Sequence, residues 1–132
     1  MEMNQSNLKG DPYMARKTIA EFKAERLALN EVLLKSQHKY IQRFFNVDNG
    51  VYLDGALPAK TKEMLGLAAS IVLRCDDCIT YHILQCADLG LTDAEFDEIF
   101  AVSLVVGGSI TIPHLRRAAG TLAEARGGNS EQ

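Results

Sequence analysis

The chain is poor in cysteine, in excess positive charge and in long apolar runs, and each shortage excludes something. Only three of its 132 residues are cysteine, at positions 75, 78 and 86. In a chain expected in the cytoplasm that argues against a disulfide scaffold and favours redox, metal or plain core roles. Lys and Arg number 14 against 17 Asp and Glu, so no polyanion partner is expected. With no basic stripe carrying interleaved aromatics, nucleic-acid binding is not expected either. The opening MEMNQSNLKGDPYMARK is polar and holds no apolar segment of the kind a secretory signal needs. The most apolar stretch, Ile99 to Ile112, is too short to span a bilayer and is broken by Ser103, Gly107 and Gly108. Strand-type alternation, βαβ units, repeats and low-complexity tracts are also missing.

What is present is helical. The length suits one domain with its own core. Residues 1–12 read as a flexible lead, 13–125 as a single helical domain and 126–132 as a frayed tail. Ile19, Phe22, Leu27, Leu29, Val32 and Leu33 recur near a 3.6 period and predict a first apolar helix face. A short helix is expected over Gln37 to Phe45, followed by a loop at Asn46 to Gly50. Pro58 suits the start of a helix reaching Leu73. Asp76 or Asp77 is expected to cap the next, which ends at Gly90. Thr92 and Glu95 form a capping box for a helix that stops at Gly107-Gly108, and a last helix starts near Ser109 or Pro113.

One cluster carries chemistry. Glu63, Cys75, Cys78 and His82 read E-x11-C-x2-C-x3-H. A C-x2-C pair alone is a weak signal, and its usual thioredoxin-like context, a parallel sheet, is absent here. On a helix starting near Cys75, the steps to Cys78, His82 and Cys86 keep these side chains near one face. First-turn N–H groups and the helix dipole stabilise a thiolate. An ordinary thiol, with a pKa of about 8.5, is only a few per cent ionised at neutral pH. His82, one turn beyond Cys78, can accept its proton, and Glu63 can fix the imidazole tautomer. Asp76 and Asp77 oppose the thiolate by charge and moderate the effect.

These four residues match the signature of the alkylhydroperoxidase D-like branch of the carboxymuconolactone decarboxylase family. The stretch from about Leu57 to Ala123, with Gly107-Gly-Ser-Ile-Thr-Ile-Pro-His114, also resembles that family. The resemblance implies an all-α fold, assembly as a homo-oligomer (a trimer or hexamer) and thiol-dependent reduction of organic hydroperoxides. It implies that Cys78 is the peroxidatic cysteine, that Cys75 resolves it to a disulfide and admits the reductant, and that His82 and Glu63 relay protons. A lipoyl or thioredoxin-like dithiol protein would supply electrons, with no metal, flavin or haem. The decarboxylase branch does not rely on C-x2-C, so decarboxylation is not expected. Where some relatives have histidine before the second cysteine, this chain has Asp77.

Blander readings stand beside these. Cys75, Cys78 and His82 could hold a structural metal, but no second ligand pair follows. The chain could be a non-catalytic redox or metal-binding module, or a protein disulfide reductase using the same dithiol cycle. Cys86 is read as a buried apolar filler, His38 as a surface residue, and Tyr81 as a packing or interface residue off the cysteine face. His114 is open between the pocket and a subunit contact. Part of the Ile99–Ile112 run exceeds what one helix face needs and suggests a subunit interface.

Overall fold

The computed structural model describes residues 16–130, with side chains described through residue 127; the expected lead over 1–12 lies outside them. Among the described residues six α-helices follow one another: α1 Ile19–Leu34, α2 Lys39–Val51, α3 Ala59–Leu73, α4 Asp76–Asp88, α5 Asp93–Gly107 and α6 Ile112–Ser130. A 3₁₀ turn, Ser109–Thr111, joins α5 to α6. No strand occurs among the described residues, and the all-α expectation holds. Among the described residues, no helix is long and apolar enough to cross a membrane.

The core lies where α3 packs on α4 and α5, and α4 on α6. Leu67 and Ile71 of α3 meet Ile79, Ile83 and Cys86 of α4, with Leu91, Phe96, Ile99 and Ala118 completing the cluster. Capping signals in the sequence explain several boundaries. Thr92 and Glu95 exchange hydrogen bonds with each other's backbone N–H at the start of α5, satisfying two donors that a helix start leaves open. Thr18 and Glu21 do the same for α1. Pro58 has no side chain to offer α3, and Asp54 takes the part by accepting from the Ala59 N–H at 2.6 Å. Gly90 follows α4 with φ +88°, as expected of its C′ position. Towards the C-terminus, where fraying was expected from Arg126 onward, α6 continues, and Arg126 bonds Asp93 and the Leu91 carbonyl, each at 2.7 Å.

Two expectations are corrected. Asn46 to Gly50 is not a loop: α2 runs on to Val51. Tyr40, Phe44, Val47 and Val51 continue one helical stripe through the turn-forming residues. The Lys62 ammonium on α3 donates to the Val51 and Leu53 carbonyls at 2.8 and 2.7 Å, closing the end of α2. The cap of α4 is Cys75 rather than Asp76 or Asp77. On α1 only Phe22 is buried, whereas Leu27, Leu29, Val32 and Leu33 are exposed. That helix is held at its N-terminal end, where Glu124 of α6 accepts from the Ile19 N–H at 3.1 Å and pairs with Arg16 at 2.8 Å. The rest of its apolar face projects beyond the core.

Ile83→Ala empties a fully buried position of this core. It is expected to lower the unfolding free energy by about 2–5 kcal/mol, read as a lower urea midpoint at unchanged slope. A midpoint indistinguishable from wild type would show that Ile83 is not part of the cooperative core.

Candidate functional site

The link between α3 and α4 is two residues long, and its geometry sets the site. Arg74 takes a left-handed conformation at φ 62°, and the Cys75 N–H returns to the Ser70 carbonyl at 3.1 Å. The chain therefore reverses at once and α4 runs back along α3. Cys75 becomes the N-cap, its sulfur accepting from the Cys78 N–H at 3.3 Å. Cys75 and Cys78 form a disulfide with Cα atoms 5.3 Å apart, within the range such a bond requires. Cys78 is exposed and Cys75 partly buried.

The reversal also brings Glu63 of α3 against His82 of α4. Glu63 Oε1 lies 2.6 Å from His82 Nδ1, and both residues are buried. A carboxylate can only accept, so Nδ1 carries the proton of this bond and the neutral ring keeps Nε2 as its basic nitrogen. A buried polar pair of this kind is satisfied only as a pair; removing either partner strands the other.

Gly66, one turn beyond Glu63, supplies the space. A Cβ at that position would lie 2.7 Å from His82 Cε1 and 2.8 Å from Nε2. The imidazole thus rests flat on bare backbone, which no larger residue allows. Two aromatic rings flank it: Tyr52, with ring centres 5.4 Å apart, and Tyr81, edge-on at 5.2 Å. The Arg26 guanidinium lies over Tyr81, 4.5 Å from its centre. Burial pushes both phenols above their ordinary pKa, and the Glu63 charge adds to it. Both stay protonated through neutral pH and keep an O–H to donate.

Cys78 and His82 line a cavity of about 200 Å³. Phe22, Tyr52 and Tyr81 give it apolar walls, and Arg26, Asp48 and Asp77 give it charge at the rim. This corrects the reading of Tyr81: it faces the cysteine–histidine cavity. Tyr52, Gly66, Arg26 and Asp48 were not singled out in the sequence. Gly66 had a signal, since glycine inside a helix costs about 1 kcal/mol against alanine and calls for a packing reason. The other three come from α1 and α2 and arrive only through tertiary packing.

The remaining candidates lie apart from the cavity. Cys86 is fully buried, and burial pushes its thiol up to about 12. His114 bonds Asp76, with Nδ1 2.8 Å from Oδ1, and is not part of the cavity wall. His38 is exposed and caps α2, accepting from the Tyr40 N–H at 3.3 Å. Among the described residues, no group of three or more His, Cys, Asp and Glu is arranged to hold a metal ion.

Gly66→Ala is expected to push the His82 ring away from Glu63 and to cost about 1–3 kcal/mol. The downfield Nδ1–H proton resonance of His82 reads the displacement directly. An unchanged resonance with unchanged stability would mean that the ring does not rest on residue 66.

Comparison with known proteins fits this geometry. The family model for the carboxymuconolactone decarboxylase family matches residues 39–120, more than half of the chain. Two crystal structures from Thermotoga maritima superpose with TM-scores of 0.81 and 0.79 at 50% identity. They cover 85% and 84% of this chain and 98% and 94% of theirs. The second is of a carboxymuconolactone decarboxylase family protein for which a part in the antioxidative response has been suggested. A family member from Legionella pneumophila, 22% identical, shares the fold with a TM-score of 0.73 over 80% of this chain and 94% of its own. An uncharacterized Cupriavidus necator protein is 30% identical over 74 residues, 56% of this chain and 66% of its own length. The chain belongs to the carboxymuconolactone decarboxylase family, and its helix-capping C-x2-C is consistent with the alkylhydroperoxidase D-like branch.

Proposed function

We propose that the protein is a cytoplasmic thiol-dependent peroxidase that reduces organic hydroperoxides through a Cys75–Cys78 dithiol–disulfide cycle. The observation that carries this reading is the buried Glu63–His82 bond, which leaves the basic ring nitrogen in the residue that shares a cavity with the exposed Cys78. His82 takes the Cys78 proton, and the thiolate attacks the peroxide O–O bond. One oxygen stays on sulfur as a sulfenic acid; the other leaves as an alkoxide, takes the proton and departs as the alcohol. The Cys75 sulfur then attacks Cys78, the S–S bond forms, and water is released. A dithiol donor, a lipoyl or thioredoxin-like protein, reopens the disulfide and is itself oxidised. The two electrons pass from the donor dithiol through the Cys75 and Cys78 sulfurs to the peroxide oxygens, so the cycle calls for no metal or organic cofactor in this chain. The apolar walls formed by Phe22, Tyr52 and Tyr81 suit an alkyl peroxide.

The same reading includes a homo-oligomer, a trimer or hexamer. One chain leaves Phe44 69% and Val105 84% exposed, with Val47, Val102, Val106 and Ile110 nearby in sequence also exposed. Monomers rarely present so much apolar surface to water.

With one equivalent of an organic hydroperoxide, the reduced protein is expected to lose two of its three thiols into a mapped Cys75–Cys78 bond, while Cys86 stays reduced. Cys78→Ser should abolish turnover. Surviving turnover would overturn the assignment of roles, and thiols that react with protein disulfides but not with peroxide would point to a disulfide reductase. Sedimentation equilibrium is expected to give three or six chains per particle; a stable monomer would count against the oligomer.

A further inference from the structure

Cys75 is followed at once by two carboxylates, Asp76 and Asp77, in the first turn of α4. That turn is where a thiolate should be favoured by open N–H groups and the helix dipole. Two negative charges there work against it. The structure deals with Asp76 from the other side of the core. Arg117 Nε of α6 donates to Asp76 Oδ2 at 2.9 Å, and His114 Nδ1 donates to Oδ1 at 2.8 Å. Two donors one turn apart on α6 thus converge on one carboxylate, with Arg117 Nη2 approaching the protonated His114 Nδ1 at 3.3 Å without a hydrogen bond between them. Both oxygens are occupied, one by a permanent cation.

We propose that Arg117, aided by His114, is a positioning residue for the sulfur chemistry: it holds and offsets the Asp76 carboxylate so that the α4 N-terminus can still favour a thiolate. This rests on the reading of Cys78 as the nucleophile. The stability gained from such a partly exposed pair is small, with Arg117 28% and Asp76 46% exposed in their side chains. Its effect on a charge forming within the same helical turn is a different quantity and does not depend on that gain. The other charged groups near the sulfurs are accounted for separately. Asp77 lines the cavity together with Arg26 of α1. Arg16 and Lys17 line a neighbouring pocket with Asp76, Asp77 and Arg117, and are themselves paired with Glu124 and Glu25. Asp48 of α2 stands on the same rim. Glu63 of α3 is engaged by His82. Arg74 precedes Cys75 in the α3–α4 turn. Asp76 is the carboxylate whose offset comes from α6.

The test uses the reduced protein and no peroxide. Alkylation rates of Cys75 and Cys78 by iodoacetamide, resolved by mass spectrometry, are followed against pH. Arg117→Gln is expected to raise the midpoint for the more acidic thiol by roughly half a unit, a loss of about threefold in rate below the midpoint. Arg117→Lys, which keeps the charge, should stay close to wild type. Adding Asp76→Asn to Arg117→Gln should bring the midpoint back, because the carboxylate that Arg117 offsets is then gone. If Arg117→Gln does not fold, Arg117→Met keeps the packing of the aliphatic stem and is expected to give the same shift. An unshifted midpoint in the charge-removing variant, or a shift that Asp76→Asn does not reverse, would overturn the proposal. Either result leaves the peroxidase reading standing, since peroxide never enters the assay. A protein that fails to turn over peroxide still yields readable midpoints.

Discussion

The hydrogen bond between Glu63 and His82 is the constraint around which the site is organised. It joins two helices at a buried point, where an unpaired carboxylate or imidazole would be costly. Much of the nearby architecture serves to make that meeting possible. The two-residue reversal through Arg74 and Cys75 sets α4 antiparallel to α3. Gly66 clears the floor under the ring, and Tyr52 and Tyr81 flank it. Lys62, the residue before Glu63, fastens the end of α2 to α3 and so steadies the helix that brings Tyr52. Structure and chemistry therefore share one strip of sequence on α3, residues 62 to 66.

Sequence patterns revealed the parts of this arrangement that are local. The capping box at Thr92, the stop at Gly90 and the spacing of Cys75, Cys78 and His82 along one helix need only the helical period, and each appears as expected. The pairing of Glu63 with His82 was legible because the family signature fixes a separation that a helical hairpin brings together. Local patterns failed where long-range contacts decide. Asn, Asp and Gly before Val51 read as a loop, but a lysine from the next helix closes that end and the helix continues. Cys75 displaced the aspartates as the cap because the left-handed Arg74 ends α3 directly before it. Arg117 and Asp76 lie 41 positions apart, and no local pattern announces their meeting.

The periodicity on α1 carries a different lesson. Leu27, Leu29, Val32 and Leu33 do lie on a helix, as their spacing predicts, yet they remain exposed in one chain. A hydrophobic period reports that a face is meant to be covered and is silent about what covers it. In this chain the fold anchors α1 through Glu124, Arg16 and Phe22 near its beginning and leaves the rest of that face uncovered.

Helix α4 places three sulfur atoms along its length and gives them unequal access. Two lie at its first turn, and the third sits fully enclosed in the core two turns further on. As amino acids the three are identical, and in an unfolded chain only their immediate neighbours would distinguish them. The discrimination between them is thus written into depth rather than into side-chain identity. Any loosening of α4 from α3 and α6 would erode it by making the enclosed sulfur a competitor for the bond its two neighbours form.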